Sequence, residues 1–313
     1  MPAEAPLFTM MVGLPYSGKS TYAKQLAEEI NAEIHSSDAI RAEILGDEQD
    51  QTNNDRVFQV LHGRVTKDLS DGKNVIYDAT NLNYKRRMNT LRLLKGITCK
   101  KRCILMATPF ETCVERSKDR KRVVPYDTIE RMYKSIWIPD YYEGWDEISI
   151  VYPNGFQVKS AAELMDGLRK IPHDNPHHTL SIGDHCIATQ RKVWAAYNDM
   201  IPEYARDLEV AALLHDIGKP FTKAFVDSKG NPTQIAHYYD HHHVSAYMAL
   251  FYIPENMNRI YIASLIQWHM RPYEIERCSS EKQVNLLQRF SSLVGASLFH
   301  DVMKLHMADV EAH

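Results

Sequence analysis

The chain has 313 residues, 44% of them hydrophobic and 25% charged, with a formal net charge of −3. Such proportions belong to an ordinary globular protein long enough for two domains, and exclude a collagen-like or low-complexity chain. Its five scattered cysteines give neither a disulfide framework nor a zinc-ribbon spacing, and no apolar run approaches the ~20 residues of a membrane span. The stretch Met1 to Pro6 has no basic region or apolar core of signal-peptide type, so a cytoplasmic location, reduced thiols and no membrane partner are expected.

Leu7 to Val12 is a short apolar run suited to a buried strand. The next eight residues are Gly13-Leu14-Pro15-Tyr16-Ser17-Gly18-Lys19-Ser20, and Thr21 to Ile30 then sets Tyr22, Leu26 and Ile30 on one helical face. This is the G-x-x-x-x-G-K-S loop in the strand–loop–helix setting that it requires. The glycines let backbone N–H groups surround phosphate oxygens, and the helix N-terminus adds partial positive charge. Lys19 reaches the outer phosphates and the Ser20 hydroxyl ligates Mg²⁺. Gly13, Ser17, Gly18, Lys19, Ser20 and Thr21 are therefore the expected contacts for ATP, or another nucleoside triphosphate, with Mg²⁺.

Glu33 to Ser36 reads as a second strand, leading into a helix from Ala39 to Leu45. At the carboxyl end of that strand Asp38 can take a proton from an attacking hydroxyl, while Arg41 can hold an acceptor phosphate; alternatively Asp38 only caps the helix. An amphipathic helix with Val57, Val60, Leu61, Val65 and Leu69 on one side follows. Lys73 to Asp78 is a strand ending in a carboxylate placed to bind Mg²⁺ through water or to orient the catalytic groups. Arg102 to Ala107 is the next strand, and the helix after it carries Arg116, Arg120 and Arg122. Phosphoryl transfer needs positive charge that follows the migrating group, and a lid bearing arginines supplies it. From Lys85 to Arg122 there are thirteen Lys or Arg against three acidic residues, a surplus of ten. Such a run is the footprint of a polyanionic substrate or a set of solvated helix faces.

Taken together, the loop at Gly13, Ser37-Asp38-x-x-Arg41, Tyr77-Asp78-Ala79-Thr80-Asn81-Leu82-Asn83 with Arg86-Arg87, and the arginine-rich helix ahead of Val124-Pro125 resemble the 5′-hydroxyl polynucleotide kinase family. The resemblance implies an α/β P-loop domain with a parallel sheet and flanking helices. It further implies Asp38 as general base, Arg41 on the phosphate 3′ to the attacking hydroxyl, and Arg116, Arg120 and Arg122 as the candidates for the lid contacts to the donor phosphates. Small-molecule kinases and zeta-toxin-like kinases share the plan.

Near Tyr152 to Phe156 the α/β alternation stops. The expected division is 1–155 for the first domain, 156–173 for a linker and 174–313 for a second, all-helical domain. Its clearest helical stretches are 187–197, 203–215, 244–251, 257–270 and 282–313. His185, His215-Asp216, His241, His269 and Asp309 are spaced as ligands on helices would be, and imidazole with carboxylate suits Mn²⁺, Fe²⁺, Ni²⁺ or Zn²⁺. This pattern resembles the HD-domain phosphohydrolases. The resemblance implies one or two such ions, with His185, His215, Asp216 and Asp309 on the first, His241 and His269 on the second, Asp216 between them, and Lys219 as a phosphate contact. His242 is an alternative to His241. His177 and His178 are either phosphate contacts or surface residues, and Tyr141, Tyr142 and Trp145 either stack on bases or fill core.

A kinase for 5′ ends joined to a phosphohydrolase resembles the end-healing enzymes that prepare broken strands for a ligase. The expected substrates are single-stranded RNA or DNA ends. Two other readings stand beside this one: a nucleoside or nucleotide kinase fused to a nucleotide hydrolase, and a nucleotide-sensing regulator with one degenerate module.

Overall fold

The computed structural model describes residues 5–119, 124–176, 179–197 and 202–312, with residues 202–204 described for their backbone only. The chain forms two compact units, one of residues 1–132 and 139–154, the other of 133–138 and 155–313.

The first unit alternates strand and helix: β1 (Leu7–Val12), α1 (Lys19–Ile30), β2 (Ala32–Ser36), α2 (Ser37–Leu45), α3 (Asn54–Ser70) and β3 (Asn74–Asp78). It continues through α4 (Tyr84–Leu93), β4 (Lys100–Met106), α5 (Phe110–Lys118), α6 (Tyr126–Lys134), a 3₁₀ turn at Tyr141–Glu143 and β5 (Glu147–Val151). The five strands lie in the order β2-β3-β1-β4-β5, and every pairing is parallel. A parallel sheet covered on both faces needs strands that are apolar throughout. The central strand meets this: every residue of β1 after Leu7 is buried. Met11, Ile76 and Ile104 from three neighbouring strands pack with Ala23 and Leu26 of α1. Because Met11 pairs with Asp78, and Ser36 with the same residue from the other side, the strand ends gather on one edge. That edge is where an open α/β sheet binds ligand.

Strand β5 is absent from the expectation. All five of its residues are only partly buried, so Glu147–Val151 lacks the continuous apolar signature of a central strand. Of the aromatic residues beside it, Trp145 is core, stacked on Phe8 at 6.4 Å and donating to Glu143, whereas Tyr141 is exposed.

The second unit is helical: α7 (Ala161–Leu168), α8 (Ile182–Tyr197), α9 (Pro202–Leu214), α10 (Lys219–Thr222), α11 (His241–Ala249), α12 (Arg259–Trp268), α13 (Arg271–Glu276), α14 (Ser280–Val294) and α15 (Ala296–Val310). Its axis is α12, buried over eight of ten residues, which explains its lack of a polar face. Two features depart from the sequence reading. A two-stranded antiparallel ribbon, β6 (Ala224–Val226) and β7 (Pro232–His237), stands between α10 and α11. The stretch 282–313 is two helices, broken at Gly295, whose φ of 85° is a left-handed conformation that stops a helix. Among the described residues no helix is long and apolar enough to cross a membrane.

Candidate active sites

In the first unit the loop after β1 folds as its residues require. Gly18 takes a φ of 93°, and a Cβ on Gly13 would stand 2.9 Å from Ser17 Oγ and 3.0 Å from Met106 Cβ, so both positions need glycine. The Gly13 amide is fixed by Thr80 O at 3.0 Å, and Thr108 Oγ1 donates to Ser17 O at 2.9 Å. Lys19 is buried and donates to Leu14 O at 2.6 Å. Burial lowers its pKa, and the nearby Asp78 opposes that shift. Ser20 Oγ donates to Asp78 Oδ2 at 2.7 Å, so the hydroxyl and the carboxylate expected at Mg²⁺ are already together. Thr21 is an exposed first-turn residue of α1.

Asp38 lies inside the first turn of α2, whose N-cap is Ser36, so it does not cap the helix. Its Oδ1 accepts from Arg41 Nη1 at 2.6 Å, and Arg41 also donates to Glu48 O and Asn54 Oδ1. Arg41 is 4% exposed, whereas about half of the Asp38 side chain is open to solvent. From α5, Arg116, expected in a lid, is exposed and donates to Tyr16 O at 3.3 Å, which sets it on the loop after β1. Arg120 and Arg122 lie outside the described residues, as do His177 and His178. Of the basic run, Arg87 is buried against Glu143, with Nε donating to Oε2 at 2.7 Å. Lys85, Arg86, Arg92 and Lys95 are exposed on and just after α4.

In the second unit six residues from five segments converge. Asp216, just after α9, is the hub. Its Oδ2 stands 3.5 Å from His185 Nε2, 3.3 Å from His215 Nε2 and 2.6 Å from Lys219 Nζ. Its Oδ1 stands 3.1 Å from His241 Nε2 and 3.8 Å from His269 Nε2. Asp309 of α15 completes the first group, with Oδ1 at 2.8 Å from His185 Nε2 and 3.4 Å from His215 Nε2. His185–His215–Asp216 and Asp216–His241–His269 thus form two potential metal-holding groups that share one carboxylate. His241 belongs to the second group and His242 does not.

The donor set fits ions at both places. The Nδ1–H groups of His215, His241 and His269 donate to the carbonyls of Ala212, Tyr238 and Ile266 at 2.6–2.7 Å. A neutral imidazole so fixed presents a bare lone pair at Nε2. His241 Nε2 and His269 Nε2 face each other at 3.2 Å, where two lone pairs repel unless a cation stands beside them. Donors ~2.0–2.1 Å from one ion at a near-tetrahedral angle lie about 3.3 Å apart. His215 Nε2 and Asp216 Oδ1 are likewise buried without a hydrogen-bond partner, a costly state for groups with nothing to ligate. Burial, then the neighbouring His215 and His241, hold His269 down at about 3. Asp216 and Asp309 stay well below the carboxylate range: burial opposes this, but is outweighed by His215 acting together with Lys219 and the His215 and His241 hydrogen bonds at Asp216, and with the His185 and His215 hydrogen bonds at Asp309.

Three contributors escape sequence reading. His173 is buried; its Nδ1–H donates to Leu180 O at 2.8 Å, and its Nε2 accepts from Lys219 Nζ at 3.3 Å. Burial, then Lys219, brings His173 to about 4, which keeps it an acceptor at neutral pH. Tyr273 donates to Asp309 Oδ2 at 3.0 Å, and Gly218 brings α10 onto α11. None lies in a recurrent spacing.

Residues 8–136 match the family model of the AAA domain, and residues 178–293 match that of the HD domain. Asp309 falls beyond the second match. A P-loop domain thus precedes an HD domain in this chain. Among solved structures, a protein of Chloroflexus aurantiacus J-10-fl assigned as a kinase is 17% identical, with 48% of this chain and 86% of that one covered and a TM-score of 0.41. A chain of the Pnkp1/Rnl/Hen1 RNA repair complex is 24% identical over 41% of this chain and 43% of its own length, with a TM-score of 0.37. A gluconokinase from Sinorhizobium meliloti 1021 is 18% identical over 48% and 83%, with a TM-score of 0.34. No curated protein matches.

Proposed function

We propose that the chain is a bifunctional nucleic-acid end-healing enzyme. The P-loop domain phosphorylates 5′-hydroxyl ends of single strands from ATP, and the HD domain hydrolyses 3′-phosphate or 2′,3′-cyclic phosphate ends, leaving strands fit for a ligase. The observation that carries the reading is the Asp38–Arg41 pair at the acceptor edge of a complete phosphate loop, in a chain that also holds the cluster around Asp216. The exposed Lys85, Arg86, Arg92 and Lys95 support a polyanionic acceptor.

In the kinase half Arg41 passes from Asp38 to the acceptor phosphate, and the released carboxylate takes the proton of the 5′-hydroxyl. Lys19 and Arg116, with Arg120 and Arg122 of the same segment, stabilise charge on the transferring phosphoryl group. Ser20 and Asp78 would hold Mg²⁺, which neutralises phosphate charge. In the HD half a divalent transition ion supplies Lewis acidity when bound. His185, His215, Asp216 and Asp309 would hold one ion, and Asp216, His241 and His269 a second. Lys219, steadied by His173, contacts the substrate phosphate.

The test uses labelled ATP with 5′-hydroxyl oligonucleotides, and oligonucleotides ending in 2′,3′-cyclic phosphate or 3′-phosphate. Wild type is expected to act on both sets, Asp38→Ala to lose only 5′ labelling, and Asp216→Ala to lose only 3′-end processing. Phosphorylation of nucleosides with no labelled strand would replace this reading with a small-molecule kinase.

A further inference from the structure

The helix α11 begins with three consecutive histidines, of which the cluster around Asp216 takes only the first. Asp240, His242 and His243 form a separate group whose ligating atoms lie within 4.8 Å of one another. Three features set this group apart from a run of ordinary polar residues. One ring nitrogen of His243, Nδ1, is buried without a hydrogen-bond partner, and the residue as a whole is 7% exposed. An orphaned buried donor or acceptor is a cost that native structures rarely carry without a use. Asp240 occupies the N-cap of α11, the position at which its carboxylate would ordinarily accept from the helix amides, yet it makes no such bond. It is held there at a φ of 61°, a left-handed conformation. Finally, the rings of His242 and His243 lie 4.0 Å apart, and the indole of Trp137 lies 4.7 Å from His243, so one side of the group is closed by aromatic surface.

We propose that Asp240, His242 and His243 bind a divalent transition ion, at a place adjoining the cluster around Asp216 and independent of it. Two imidazoles and one carboxylate suit Zn²⁺, Ni²⁺ or Cu²⁺, and leave coordination positions for water. Asp240 is exposed and His242 mostly buried, so the ion is reached from solvent on the Asp240 side, whereas the Asp216 cluster is buried throughout. This site is separate from the end-healing reading, and its test reads metal rather than turnover.

Full-length protein is stripped of metal, saturated with Zn²⁺, freed of excess, and its zinc per chain measured by mass spectrometry. Asp240→Asn, at an exposed side chain, and His242→Gln, a near-isosteric change, are each expected to hold one equivalent fewer than wild type. His241→Gln serves as reference for the Asp216 cluster and is expected to retain the exchangeable equivalent. A second readout is local: Cu²⁺ bound beside Trp137 quenches its fluorescence. That quenching step should persist in His241→Gln and vanish in His242→Gln. Zinc content in Asp240→Asn and His242→Gln equal to that of wild type would overturn the proposal. So would quenching lost in His241→Gln but kept in His242→Gln, which would assign the ion to the buried cluster.

Discussion

A carboxylate with two oxygens facing two different sets of imidazoles is what makes Asp216 the hub of the HD half. Its Oδ2 serves His185, His215 and Lys219, and its Oδ1 serves His241 and His269. Partners one step removed matter too. Tyr273 orients Asp309, and Tyr273→Phe is expected to lower metal affinity about 10–100-fold, as loss of an outer partner of a ligand does. Competition with a chromogenic chelator measures this, and an unchanged affinity would show that Asp309 needs no such support. On the proposed function, Asp38→Asn in the P-loop unit should slow 5′ transfer by about 10²–10⁴, the usual worth of a general base. Lys19→Ala should slow it by about 10²–10³ through lost charge stabilisation. Both leave the zinc content of the HD half unchanged, so a metal assay beside the kinase assay separates a site effect from unfolding.

Helix contacts decide whether these side chains meet at all. Gly218 is one such point: a Cβ there would stand 2.6 Å from Ser245 N and 2.7 Å from His241 O, and both are backbone atoms that cannot yield without moving α11. The Gly218 amide also donates to Ser245 Oγ at 2.9 Å. Gly218→Ala is therefore expected to push α11 away, carry His241 off Asp216, and lower both zinc content and melting temperature. Gly63 offers the opposite case. It sits exposed within α3 with nothing within 4 Å of an added Cβ, and its φ is not positive. Gly63→Ala should stabilise by about 0.5–1 kcal/mol, since glycine is the costlier residue in a helix interior. Paired thermal melts of the two variants check both signs.

Across the whole molecule two consequences follow from burial. In metal-free protein His173 titrates at about 4 and both His243 and His269 at about 3, each pushed down by burial. All lie below the ordinary value of about 6.5, so the unfolded chain binds protons first as pH falls. Stability should therefore decline as pH drops from about 6.5 towards 4. Asp216 and Asp309, held low, add to the loss at more acid pH. His215 works the other way: its raised value gives stability that is complete below about 6.5 and lost at higher pH. Urea titrations at stepped pH should show the acid-side slope. The second consequence concerns where the chain can be cut. Tyr133, Ile136 and Ile138 are buried and belong to the second unit, although residues 139–154 return to the first. A fragment ending at Asn154 would carry this apolar segment without its core, and is expected to aggregate where the full chain does not; sedimentation of the two proteins compares them.

Local chemistry announces itself in sequence, which is why the phosphate loop, the alternation of strand and helix, and the spaced histidines were legible. A loop that wraps phosphate must have glycine, lysine and hydroxyl at fixed offsets, and a buried parallel strand must be apolar along its length. Where the requirement is set by a distant part of the chain, nothing local records it. β5 is half-buried and so has no apolar signature, the β6–β7 ribbon is too short to alternate clearly, and the break at Gly295 is one residue in an otherwise helical run. The choice of His241 over His242 is of the same kind. Both are imidazoles at the start of one helix; resemblance favours His241 without excluding His242, and the packing of α11 against Gly218 is what holds His241 Nε2 3.1 Å from Asp216. The sequence by itself determined which chemical groups the protein carries and in what order; tertiary structure decided which of them share a site, because that depends on backbones approaching across tens of residues.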